Sequence, residues 1–253
     1  MSCIAVLYLA AFAAPGPLLA LPAIAAAPSR QAPAAGDPDA LYAGRADLAS
    51  ARAAAAIWAA RLAHDPHDFE SAAKLARALY WVGTHAAPAE RRALLERGIA
   101  AGRTAATLEP RRPEGHFWTA ATIGALADSS GLTYGLRHKG EIRDELMIVL
   151  ALNPAYQRGS ADRALGRWYN RVPGLFGGNN LTAEQHLRKS LTYGPGNTAS
   201  LYFLAETLLA LKRGPEARET LQALLASPGD PDWAPEDREY KAKGERLLES
   251  LQR

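Results

Sequence analysis

Sulfur is almost missing from this chain of 253 residues, with one cysteine, Cys3, and two methionines. That inventory excludes disulfides, thiolate zinc sites, iron–sulfur clusters and a cysteine nucleophile. Valine occurs only at Val6, Val82, Val149 and Val172, while alanine and leucine dominate, so β-formers are too few for a sheet. Charge of one sign is lacking too. The formal net charge is +3, and the Arg and Lys of 91–112 and 137–189 are interleaved with Glu96, Glu109, Glu141, Asp144, Glu145, Asp162 and Glu184. This is the pattern of solvated helix faces and not of a phosphate-binding stripe, and no nucleic-acid partner is expected. Catalytic signatures are absent as well: there is no HExxH, no Walker loop and no GxSxG. His64 and His67 fall in a turn without a third ligand, and Gly174-Leu175-Phe176-Gly177-Gly178 follows no strand, so neither a metal site nor a phosphate cradle is expected. The reading is of a non-enzyme without cofactor or metal.

What is present begins with an uncharged apolar run from Ile4 to Ala27, ending in Ala23-Ile24-Ala25. A small-x-small triplet after such a run predicts an export signal over residues 1–25, cleaved after Ala25, and hence a periplasmic or secreted protein. Pro15, Gly16, Pro17 and Pro22 interrupt the run, which argues against a retained membrane span. Residues 26–39, with Pro28, Pro33 and Pro38 among Ala, Gly and Gln, are expected to form a linker, and residues 40–253 the folded domain.

Within that domain apolar residues recur at helical spacing, and helices are punctuated by Pro66, Pro110, Pro154, Pro195 and Pro228. The separations, about 44 falling to about 33 residues, are those of stacked helical hairpins. Leu165-Gly166 and Tyr169, then Ala183, Leu187, Ser190 and Pro195, carry the tetratricopeptide (TPR) spacing, and Leu204-Ala205, Leu208, Ala217, Leu221 and Leu224 repeat it. Small residues at Gly166, Ala183, Ala205 and Ala217 let the two helices of a hairpin cross closely. The expected fold is all-α: a TPR-like α-solenoid of about five hairpins, near 38–65, 69–109, 113–153, 158–194 and 198–227, plus a C-terminal capping helix from Pro235. Thr182 and Gln185 are read as a capping box opening the second helix of the fourth hairpin.

Two hairpins are too long for the repeat, by about eight residues between Thr122 and Ile142 and about five between Gly166 and Ala183. The surplus is expected as loops at 128–135 and 171–180, on one edge of the solenoid, carrying Leu132, Tyr134, Val172, Leu175 and Phe176. Such apolar loops need a cover, either the protein's own groove or a ligand. Trp118, Trp168 and Tyr169 lie on first helices, which line the concave face, and Arg163 and Arg167 are one turn apart. The candidate ligand site is therefore Trp118, Tyr134, Arg163, Arg167, Trp168, Tyr169 and Phe176, with the arginines holding a carboxylate and the aromatics an apolar tail. Ordinary inter-helix packing of Trp168 and Tyr169, with the arginines pointing to solvent or paired to Asp162 and Glu184, is the competing account.

The segments Ala151–Tyr156, Ala164-Leu165-Gly166-Arg167-Trp168-Tyr169, Pro173-Gly174, Ala183–Ser190 and Tyr202–Glu206 resemble the TatT family, TPR proteins associated with TRAP transporters. More distantly they resemble the TPR domain of the regulators of microtubule dynamics. The resemblance implies a periplasmic TPR protein that assists a solute-binding protein and its transporter, with homo-oligomerisation left open. A small amphipathic or organic-acid ligand, or a partner protein on the concave face, are the two functions it allows; fold transfers between such relatives and substrate does not.

Overall fold

The computed structural model describes residues 36–251. Among these the chain is all-α, and helix starts follow from local chemistry. Asp37 accepts the amide of Asp39 at α1 (Pro38–Ala43), and Asp47 accepts those of Ala49 and Ser50 at α2 (Leu48–His64). Asp68 does the same for Ser71 at α3 (Phe69–His85). α4 (Pro88–Leu108) and α5 (Pro113–Ser130) open instead on proline, whose missing N–H would be unpaired in the first turn anyway. α1 takes in Pro38 and Asp39, the last two positions of the stretch read as linker; the rest of that stretch up to residue 35, and the signal segment, lie outside the described residues.

The remaining helices are α6 (Leu132–Leu152), α7 (Ser160–Arg171), α8 (Asn180–Tyr193), α9 (Thr198–Ala210), α10 (Gly214–Ala226) and α11 (Ala234–Ser250). Consecutive helices pair as hairpins, α3 with α4, α5 with α6, α7 with α8 and α9 with α10, and the hairpins stack into one TPR-like α-solenoid. The first hairpin is truncated, since α1 has only six residues against seventeen in α2. The core runs through the hairpin interiors, where Trp58, Leu79, Leu95, Ile123, Leu146, Leu165, Leu187, Leu208 and Leu221 are fully buried. Leu62, placed in the core by its spacing, is only half-buried. Close crossings sit where the sequence puts small residues: a Cβ on Gly166 would stand 2.5 Å from Leu187 Cγ and 3.1 Å from the Ala183 carbonyl.

Two local expectations are corrected. α8 starts two residues before Thr182, because the Asn179 side chain accepts the amides of Leu181 and Thr182, and the capping box is not formed. The surplus at 128–135 is no loop either. α5 continues to Ser130 and α6 starts at Leu132, so the chain reverses at Gly131 alone, with φ 86° and ψ 174°. That conformation is open to glycine and to almost nothing else, and it turns the extra residues into extra helix. The 171–180 surplus is a loop with a 3₁₀ turn at Gly174–Phe176.

Candidate functional site

The inner face of the solenoid encloses a groove of ≈ 790 Å³. Its walls are first helices, with Tyr80 and Trp81 from α3, Phe117 and Trp118 from α5, Arg163, Arg167 and Trp168 from α7, and Tyr202, Phe203 and Glu206 from α9, joined by Leu136, Lys139 and Ile142 of the second helix α6. The fourth side is α11. Its Tyr240 packs on Phe203 and Tyr202 with ring centroids 5.5 and 5.7 Å away. At its other end Glu236 takes a two-pronged ion pair from Arg45 (2.9 and 2.6 Å), whose Nη2 also donates to the Asp232 carbonyl. Glu239 binds His85 at 2.5 Å. The C-terminal helix thus bridges from α9 back to the α1–α2 turn and α3, and covers a face that an open TPR groove leaves to solvent. A second depression, between Gly214, Arg218, Gln222 and Leu251, has neither aromatics nor a buried charge.

Aromatic contacts pave the groove floor: Tyr80 on Trp118 at 5.6 Å, Phe117 on Trp118 at 5.0 Å, and Trp168 fixed by its indole N–H on the Lys139 carbonyl at 2.9 Å. Burial raises the Tyr80 and Tyr240 hydroxyls above their ordinary pKa, so both stay neutral donors. The acids are engaged already. Arg167 pairs with Asp128 at 2.9 Å and Glu206 at 3.7 Å and lies 4.6 Å over the Phe203 ring. Burial works against its charge, yet Asp128 and Glu206 hold its pKa above the ordinary value. Asp237 accepts from Thr198 Oγ1 and the Asp230 amide.

Arg163 differs. Its guanidinium makes no hydrogen bond or ion pair among the described residues, and its Nη1 is buried without a partner. Burial pushes its pKa down, and the nearby groups that favour its charge are the hydroxyls of Tyr240 and Tyr80, with no carboxylate among them. Neither arginine meets the acids expected from sequence: Asp162 is taken by His186 at 2.7 Å, and Glu184 by Arg188 and Arg213.

Of the seven site residues expected from sequence, Trp118, Arg163, Arg167 and Trp168 line the groove. Three do not. Tyr134 sits on α6, 4.4 Å from the His138 ring and 6.0 Å from the Arg92 guanidinium, because its segment is helix. Tyr169 points to the neighbouring face and stacks on His186 at 5.4 Å with 9° between planes. Phe176 is exposed beside Leu175, since the loop folds on itself through Asn179 N to Tyr169 O at 2.8 Å. The start of the loop, Val172 and Pro173, still lines the groove, and α11 covers its fourth side. Sequence reasoning missed Tyr80, Phe203, Tyr240 and Gln157; the first two had a readable signal, as aromatics at concave-face positions of first helices. Among the described residues no three His, Cys, Asp or Glu side chains cluster as metal ligands, and no helix is long and apolar enough to cross a membrane.

An all-α stack of hairpins with first helices around a groove defines a TPR-type protein, a class whose domains generally bind partner proteins. The chain belongs to the family described as Regulator of microtubule dynamics protein 1-3, whose model matches residues 37–175, and a tetratricopeptide repeat model matches residues 178–236. The matching family is the one the sequence resembled more distantly. Among solved structures, a thermophilic TPR protein from Thermus thermophilus is similar with 23% identity and a TM-score of 0.59, covering 83% of this chain and 95% of that one. MamA is similar with 18% identity and a TM-score of 0.49, over 77% and 92% of the two chains. No curated protein matches the chain.

Proposed function

We propose that the chain is a binding protein whose covered groove takes a small amphipathic acid, with the carboxylate on Arg163 and the apolar tail along Trp118, Tyr80 and Phe203. Arg163 carries this reading. An arginine held in an aromatic groove without an acceptor is expensive to keep, while every acid nearby is committed elsewhere, so the missing partner is an anion from outside. The setting that fits the export signal and the TatT-like segments is periplasmic or secreted, as accessory to a solute-binding protein of a TRAP-type transporter. A partner-protein scaffold is the second reading. It draws on the tetratricopeptide match and on Met147, Ile148 and Leu152, exposed on the outer face of α6.

The test is calorimetric titration of decanoate into wild type and Arg163→Met. Removing the guanidinium is expected to weaken binding by about 1.5 to 3 kcal/mol. The same substitution should raise the melting midpoint, because an unpaired, partly buried charge is replaced by an apolar chain of similar length. Equal affinity in the two proteins, or a lower midpoint together with lost binding, sinks the proposal.

A further inference from the structure

The connection from α6 to α7 concentrates left-handed backbone. Gln157, Arg158 and Gly159 take φ of 44°, 57° and 74° in succession, and Lys212 is the remaining non-glycine with positive φ among the described residues. Glycine adopts this region freely, whereas Gln157 and Arg158 each carry a Cβ that crowds the backbone there. Arg158 gains a partner by it, with its Nη1 2.5 Å from Asp230 Oδ2. Gln157 gains a place on the groove wall, and its amide Nε2 donates to the Tyr156 hydroxyl at 3.0 Å. Its other end is the anomaly: Oε1 is buried and accepts from nothing among the described residues.

A glutamine turned outward would hydrate that oxygen, so both the backbone conformation and the desolvated carbonyl count against this arrangement unless something donates to it. Six residues further on, Arg163 lines the same groove with the complementary lack, donors without an acceptor. The strain and the unpaired acceptor sit at the entry to α7, and the unpaired donors lie on its first turn along the same groove.

We propose that Gln157 and Arg163 form a two-point polar subsite, and that the ligand is an apolar-tailed carboxylic acid bearing a hydroxyl or amide N–H next to its acid group: a hydroxy acid or an N-acyl amino acid. Arg163 takes the carboxylate, and Gln157 Oε1 accepts the neighbouring O–H or N–H. This rests on the acid-binding reading of the groove and adds the second donor to it. A site that buries an unpaired acceptor rejects the analogue lacking the donor more strongly than it rejects a change of tail length.

Decanoate and 3-hydroxydecanoate, titrated calorimetrically into wild type, Gln157→Leu, Gln157→Gly and Arg163→Met, test it. Wild type is expected to bind the hydroxy acid about tenfold more tightly than decanoate. Both Gln157 variants should lose the preference and bind the two acids with equal affinity. Gln157→Gly relieves the left-handed backbone and should melt above Gln157→Leu, so a preference lost in both comes from the missing amide and not from a damaged turn. Equal binding of the two acids by wild type, or a preference that survives in both folded Gln157 variants, overturns the subsite while leaving the acid-binding groove intact. Failure of wild type to bind either acid, or wild-type binding by Arg163→Met, overturns the groove reading and the subsite with it.

Discussion

The hairpins α5/α6 and α7/α8 both exceed the repeat length, and they dispose of the excess in opposite ways. In α5/α6 it lengthens the helices, to 18 and 21 residues, and one glycine makes the turn. In α7/α8 the helices stay at 12 and 14 residues and the excess becomes a loop tied back to α7 through Asn179 N and the Tyr169 carbonyl. Surplus length in a repeat therefore locates an edge without saying what stands there. What decides is the residue available at the reversal. Gly131 permits a turn that needs positive φ and an extended ψ, while Pro173 ends α7 by lacking an amide and forces the chain to travel before α8 can start. Residues of both tips line the groove, Gly131 and Leu132 in the one and Val172 and Pro173 in the other, and α11 closes its fourth side.

The largest expected effect is at the α7/α8 crossing. Gly166 touches Leu187 and the Ala183 carbonyl so closely that leucine there must push α7 and α8 apart. The matching place in α5 is Thr122, fully buried, whose Cγ2 faces Gly98 of α4, 3.1 Å from where a Cβ there would stand. Gly166→Leu should destabilise by about 3 kcal/mol in urea denaturation. An unchanged midpoint would mean that the crossing is loose and that the two hairpins differ less than described.

Next come the two turns, which alanine breaks for different reasons. At Gly178 a Cβ would overlap the Val172 carbonyl, so the objection is space. At Gly131 nothing lies within 4 Å of the added atom, and the objection is φ 86° alone. Gly178→Ala should therefore cost about 2 kcal/mol or more through a rebuilt loop, and Gly131→Ala about 1 to 2 kcal/mol without altering contacts. Replacing Gly131 with a D-alanine by chemical ligation restores the left-handed preference and should recover most of the loss. No recovery there would mean that space limits both turns and would erase the distinction between them.

Legibility in the sequence followed the range of the interaction responsible. Proline punctuation and helical spacing are local, and the hairpins near 69–109, 113–153, 158–194 and 198–227 stand within a few residues of their expected ends. Arg163 and Arg167 were readable because a helix puts positions four apart on one face, and Trp118 and Trp168 because first helices line the concave face. Tyr134 and Phe176 went astray because a count of surplus residues carries no torsion angles. Asp128 and Glu206 as partners of Arg167, the α11 cover and the inward Gln157 depend on how the solenoid curves back on itself, which no window of sequence contains.

Because α11 covers the fourth side of the groove, the smallest effect concerns how it is held at α3. His85 stacks on Trp81 at 3.8 Å, its Nδ1 faces the Trp81 carbonyl at 2.7 Å and its Nε2 meets Glu239. Burial opposes its charge, but the Glu239 hydrogen bond and the Trp81 carbonyl win, so its pKa lies above the ordinary 6.5. Glu239 is lowered below its ordinary 4.5 by the same bond, in spite of burial. A raised histidine contributes stability that is complete below about 6.5 and is lost as pH rises through its folded value. A lowered carboxylate contributes above 4.5 and is lost as pH falls through its folded value. The contact is thus firmest between about 4.5 and 6.5 and weakens above neutrality. Both side chains are partly exposed, at 29% and 38%, which holds the effect to about 0.5 kcal/mol. Hydrogen exchange, corrected for intrinsic rates, should show the α11 amides around Glu239 about twofold better protected at pH 6 than at pH 8, and His85→Gln should flatten that dependence. The Arg45–Glu236 pair contains no histidine and should hold the helix start equally at both pH values. If protection near Glu236 changes as much as that near Glu239, the pH dependence does not come from His85.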